Sequence, residues 1–196
     1  MNRVVRDTRG FTLAELLVVV AILGFMMGAL FTLQRQGQLA YLTGAARVEV
    51  QQNARFALDM MISDIRSALP VGATSQVVTA IDANCATGGP PATGGGNTIS
   101  FTDQTGTAVT YALVGASCAT AGCDLQKNGT TVIGGVQNLQ IWCYDNSTPA
   151  ALNATLANIR EIRVQITTQT ERGAAAGSPG DQHAIVESRV RFRNVI

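Results

Sequence analysis

A chain of 196 residues that is 46% hydrophobic and 14% charged can bury one domain-sized core and still carry an appendage. Its formal net charge of +1 gives no global reason to expect nucleic acid or an acidic partner. Twenty Gly against five Pro fit loops between ordered elements, not a disordered chain.

The first element is an almost unbroken apolar run from Phe11 to Leu33, interrupted by one acid, Glu15. As a helix it would rise about 34 Å, enough for a bilayer core of about 30 Å. Arg3, Arg6 and Arg9 precede it against a single Asp7, so the positive-inside bias keeps the first residues in the cytoplasm and exports the rest. The run is too long for a cleaved secretory signal, whose apolar region covers about 7 to 15 residues. A plain membrane anchor would leave Glu15 unexplained, because a central acid costs about 2.5 to 3.5 kcal/mol on insertion scales.

Beyond Gln34 the helix is expected to continue. No Pro occurs before Pro70, and Leu39, Leu42, Ala46, Val50, Ala54, Leu58, Met61, Ile65 and Leu69 recur at spacings of three and four. That is one apolar stripe on an amphipathic helix. Arg35, Arg47, Glu49, Arg55, Asp59, Asp64 and Arg66 fall mostly off the stripe. Gly24, Gly28, Gly37 and Gly44 are weak points costing about 1 kcal/mol each relative to Ala. Gly24 and Gly28 also have the small-xxx-small spacing of packed membrane helices.

The remainder reads as strands: "TISF", "VTYAL", "LQIWCY", "EIRVQIT" and "SRVRFRN" alternate or are rich in β-branched and aromatic residues. Asn128–Gly129 is expected to be a tight hairpin turn. Residues 85–97 and 174–182 are expected to be mobile surface loops. An antiparallel sheet laid on the amphipathic half of the helix would bury both apolar faces, an α+β arrangement. In the last strand Val190 and Phe192 alternate with Arg189, Arg191 and Arg193, and the arginines are read as a solvated face. Without interleaved aromatics, DNA binding is not expected.

Cys85, Cys118, Cys123 and Cys143 lack a CxxC pair, and the single His, His183, is remote from them in sequence. Zinc is therefore not expected. In an exported chain two disulfides are the better account. Cys118 with Cys123 and Cys85 with Cys143 is the favoured pairing, and Cys85 with Cys118 and Cys123 with Cys143 the alternative. No G-x-S-x-G elbow, H-E-x-x-H or phosphate-cradling Gly loop is present. The chain is read as having no catalytic residues and no cofactor. A membrane-anchored adhesin and a tethered exported enzyme are the competing classes.

The stretch "RGFTLAELLVVVAILG" resembles the class III signal of type IV prepilins and of type II secretion pseudopilins: a short basic leader ending in Gly, then Phe, then an apolar helix with Glu at its fifth position. The resemblance implies that prepilin peptidase cuts between Gly10 and Phe11 and methylates the new Phe11 amine. It divides the chain into a leader (1–10), a transmembrane and filament-core helix (11–33), an amphipathic helix (34–69) and a sheet domain (70–196) with a type IV pilin-like fold. The new amine, which in an ordinary chain titrates near about pH 8, would be a cation one helical turn from Glu15. Glu15 could serve its own amine and helix end, or the Phe11 amine of a neighbouring subunit; the resemblance favours the second.

Residues 48–68, "VEVQQNARFALDMMISDIRSA", are similar to PilW-type minor pilins through Gln51, Asn53, Arg55, Phe56, Ala57, Leu58, Asp59, Asp64, Ile65 and Arg66. J-type minor pseudopilins of type II secretion are next. What this implies is a structural subunit that primes pilus assembly and ends at the tip. It would wait in the inner membrane with its C-terminal domain in the periplasm, then enter an extracellular pilus or a periplasmic pseudopilus. Its implied partners are the peptidase and other pilin or pseudopilin subunits.

Overall fold

The computed structural model describes residues 10–70, 76–89, 93–94, 96–147, 149–170 and 181–192. The first element is one helix, α1 (Leu13–Ser67), which begins and ends two residues inside the expected Phe11 and Leu69. Contacts divide the chain into two units, Met1–Leu42 and Thr43–Ile196. In the first unit the helix is long and apolar enough to cross a membrane. Leu16, Leu17, Val20, Leu23, Phe25, Met27 and Phe31 are all exposed, and a Cβ at Gly24 or Gly28 would meet nothing within 4 Å. An unburied surface of this composition is lipid-compatible and water-averse.

The second unit holds the rest of α1 and a sheet. Its strands are β1 (Val78–Ile81), β2 (Gly88–Gly89), β3 (Thr93–Gly94), β4 (Thr98–Thr102), β5 (Ala108–Val114), β6 (Cys123–Lys127), β7 (Thr130–Tyr144), β8 (Glu161–Gln169) and β9 (His183–Arg191). Seven of them form one sheet in the order β1-β4-β5-β6-β7-β8-β9, and β2 pairs only with β3. Every pairing is antiparallel. The chain is thus a long N-terminal helix packed on a C-terminal antiparallel sheet.

The helix buries Val50, Ala54, Ala57, Leu58, Met61, Ile62 and Ile65, spaced by three and four as one face requires. Of these, Ala57, Leu58, Met61, Ile62 and Ile65 pack in one cluster with Ile99 and Phe101 of β4, Tyr111 of β5, Leu125 of β6, Leu139 and Ile141 of β7, and Ile162, Val164 and Ile166 of β8. The expected stripe is too long at its N-terminal end. Leu39 and Leu42 are exposed, because apolar periodicity marks a face without saying how much of it the sheet covers. Ala57 and Ile62, outside the expected stripe, are buried.

All five expected strands are found, most of them longer than expected, but β1, β6 and the first half of β7 have no counterpart among them. Their sequences, "VTAI", "CDLQK" and "TTVIGG", are too short or too Gly-rich to show a period. Asn128 (φ 50°) and Gly129 (φ 80°) both take positive φ between β6 and β7, the requirement of a two-residue primed hairpin turn. The Asn128 carboxamide also accepts from the Thr110 N–H at 2.7 Å and donates to the Ala108 carbonyl at 3.2 Å, which ties the turn to β5. Gly135 (φ 68°) lies where the β7 register slips, so β7 pairs with β6 along its first half and with β8 along its second.

Of the expected mobile loop at 85–97, the described residues 85–89, 93–94 and 96–97 take defined structure. A short turn (Ala83–Ala86) is capped by the Asp82 carboxylate, β2 and β3 follow, and Gly96 exchanges two backbone hydrogen bonds with Ile141 at 2.8 Å. These bonds occupy the edge of β7 beyond the end of β6, and an unpaired buried edge would cost more than ordering the loop. Of the other expected loop, residues 174–180 lie outside the described residues, as do Arg193 and the leader residues 1–9.

Candidate functional site

The N-terminus of α1 is built by residues that satisfy its free backbone donors. The first four N–H groups of a helix have no partner inside it. Here the Thr12 hydroxyl accepts from the Glu15 N–H at 3.3 Å, while Glu15 Oε2 accepts from the Thr12 N–H at 3.0 Å and from its hydroxyl at 3.2 Å. This reciprocal pair is a capping box, and its signal in the sequence is the T-x-x-E spacing, which the membrane-anchor reading of the same residues hides. The carboxylate also lies in the first turn, where the positive end of the helix dipole favours it. Glu15 thus has a local role in the uncut chain, before any neighbour is considered.

Gly10 and Phe11 lie just outside the helix, and both are exposed. A Cβ at Gly10 would meet nothing within 4 Å, so no packing within the chain requires Gly there. The Gly10–Phe11 peptide is non-helical and exposed, and the Thr12–Glu15 pair caps the helix that follows it.

Other sequence candidates are placed elsewhere. Among the residues of the segment "VEVQQNARFALD", Gln51, Arg55, Phe56 and Asp59 are exposed, whereas Ala57 and Leu58 face the sheet. Asp64 is spent internally: its carboxylate accepts from the Tyr111 hydroxyl and pairs with Lys127 Nζ at 2.6 Å. Burial and this acceptor raise the Tyr111 pKa well above the ordinary tyrosine value.

Arg189 and Arg191 lie on an exposed face of β9, as expected, and are also paired there. Arg189 pairs with Glu161 and lies 4.9 Å from the Tyr144 ring centre, Arg191 donates to Asn146 at 2.6 Å, and the adjacent Arg163 pairs with Glu187 at 2.6 Å. His183 lies 2.8 Å from Asp181. Among the described residues no group of three or more His, Cys, Asp or Glu could hold a metal ion.

Cys118 and Cys123 are joined by a disulfide across the short helix α2 (Cys118–Ala121). Cys85 and Cys143, the other expected pair, are both fully buried and carry no bond between them in this structure. The Ala83–Ala86 turn brings them into hydrogen-bonding contact without a bond, and that contact lowers the Cys85 pKa and raises that of Cys143. The alternative pairings are not the contacts that form.

No curated protein and no solved structure matches the chain. Residues 5–31 match the family described as the prokaryotic N-terminal methylation motif. This segment contains Gly10, Phe11, the capping box and most of the exposed apolar helix, and so supports a type IV pilin-like or pseudopilin-like protein.

Proposed function

We propose that the protein is a minor structural subunit of a type IV pilus, acting by assembly and not by turnover. The observation that carries the reading is the accessible Gly10–Phe11 peptide set against a capped helix with an exposed apolar surface, inside the matched methylation motif. On this reading prepilin peptidase removes residues 1–10 and methylates the Phe11 amine. Residues 11–33 hold the subunit in the inner membrane with the sheet domain in the periplasm.

Cleavage converts Phe11 from an amide into a cationic amine beside the capping box. Glu15 then neutralises either its own amine or that of a neighbour. The intersubunit pairing is the proposed role, because two such ends brought together in an apolar layer attract strongly once water is excluded. Extraction from the membrane follows when the exposed apolar helix packs among other subunits, so its surface remains covered throughout. Phe56, which is 56% exposed on the side of α1 away from the sheet, is a further contact for a neighbouring subunit.

A role in priming assembly and a place at the tip rest on the similarity of residues 48–68 to PilW-type minor pilins. The test is to recover the protein from cells and from sheared filaments. A mature chain beginning at methylated Phe11, present in the filament fraction at low copy, is the expected result. An uncut chain confined to membranes would overturn the proposal.

A further inference from the structure

Two nucleophilic side chains are sealed in the core without a part in processing or assembly. Cys85 sits in the Ala83–Ala86 turn and Cys143 near the end of β7, and neither is exposed at all. They belong to the same buried cluster as Met61 and Ile65 of α1 and Ile141 and Ile162 of the sheet. The backbone holds them together from two sides. Gly96 is hydrogen-bonded to Ile141, two residues before Cys143, and the Cys85 N–H donates to the Asp82 carbonyl at 3.0 Å. The Thr87 N–H in turn donates to the Asn84 carbonyl at 2.9 Å. Two thiols in contact inside an apolar cluster gain little from each other, since an S–H is a weak donor.

We propose that Cys85 and Cys143 form a second disulfide, made while the domain folds and afterwards closed to reagents by the helix–sheet core. The reaction is exchange with a protein disulfide of a thiol–disulfide oxidoreductase. The Cys85 thiolate attacks a sulfur of that disulfide, giving a mixed disulfide. The Cys143 thiolate then displaces the oxidoreductase, which leaves as a dithiol carrying the two electrons and, with solvent, the two protons. Such an oxidant is protein-sized, and the folded core admits no protein to a sulfur with no exposed surface. The bond is therefore made before the turn docks on β7. Once made, it closes a loop holding β4, β5, β6 and most of β7, which restricts the unfolded chain. It also fixes the turn on which the Gly96 pairing depends.

The inference takes from the proposed function only the oxidising compartment. The full chain is recovered from exporting cells by acid quench, alkylated in denaturant without reductant, and digested for mass spectrometry. Linked Cys85 and Cys143 peptides are expected alongside the Cys118–Cys123 peptide. Alkylated Cys85 and Cys143 beside an intact Cys118–Cys123 bridge would overturn the second disulfide while leaving export standing. Alkylation of all four would count against both export and the bridge. The native protein is then treated with a phosphine reductant in detergent. Reduction of Cys118–Cys123 at least about tenfold faster than of Cys85–Cys143, with the difference gone in denaturant, is expected from the difference in access. Equal rates in the native state would overturn the sealing.

Discussion

The hydroxyl of Tyr111 on β5 donates to the carboxylate of Asp64 on α1, and the same carboxylate holds Lys127 of β6 at 2.6 Å. Lys127 Nζ also lies 5.9 Å from the Tyr111 ring centre. One acid near the helix end thus fastens two strands. Removing the phenol by Tyr111→Phe should cost about 1.5 to 3 kcal/mol, the range for hydrogen bonds to charged groups. Lys127→Ala should cost no more than about 1 kcal/mol, because that ion pair is partly solvated. Urea unfolding of the three proteins measures both, and equal losses would show that the phenol is not the stronger tie.

The same phenol sets an alkaline limit. Its pKa is raised in the folded state above the ordinary value of 10.0, so between the unfolded and folded values the native state binds more protons than the unfolded one. The contribution is complete below about pH 10 and is lost as pH rises through the folded value. Stability should therefore fall more steeply above about pH 10 in the wild type than in Tyr111→Phe. Parallel profiles would remove Tyr111 from the account.

Processing should depend on residue 10 and not on folding. A Cβ at Gly10 has open space within the chain, so Gly10→Leu should fold normally yet remain an uncut precursor in the membrane fraction. N-terminal sequencing that found Phe11 first in this variant would reject the class III assignment.

Glu15 has a cap to keep and a charge to lose, and two substitutions separate them. Glu15→Gln retains an acceptor for the Thr12 N–H and hydroxyl, whereas Thr12→Ala removes the cap's hydroxyl while keeping the carboxylate. Loss of the cap should cost about 1 kcal/mol of helix stability. If Glu15 pairs with a neighbour's amine, Glu15→Gln protein should be cleaved and membrane-resident but poorly recruited, while Thr12→Ala should assemble nearly normally. Immunoblots of sheared filaments and membranes from cells with wild-type partners decide it; normal recruitment of Glu15→Gln would end the intersubunit role.

The two sides of α1 should respond differently to truncation. Met61 is fully buried, and Met61→Ala should cost about 2 to 5 kcal/mol through the cavity it leaves. Phe56 is mostly exposed, so Phe56→Ala should change stability by about 0.5 kcal/mol or less and instead lower recruitment into filaments. Equal destabilisation by both would place Phe56 in the core.

Local patterns determined much of this protein. The apolar run, its basic flank and the Gly10, Phe11, Glu15 order are contiguous in sequence, so the membrane-compatible helix and the methylation motif it matches are legible without any fold. Asn128–Gly129 is legible for the same reason: positive φ at two successive residues is a local demand that few residue pairs meet. The pairing of Thr12 with Glu15 is equally local, although an acid inside an apolar run draws attention away from its cap. What tertiary structure decided is everything set by which surfaces meet. The stripe on α1 continues to Leu39 in sequence, yet burial begins at Val50, because coverage depends on how far the strands reach. Strand β6 shows no period of its own and exists because β5 and β7 flank it. Cys85 and Cys143 come together only when the turn after β1 docks on β7. The partners of Asp64, Arg189 and Arg191 lie tens of residues away, and spacing along a chain carries no information about pairings made across a sheet.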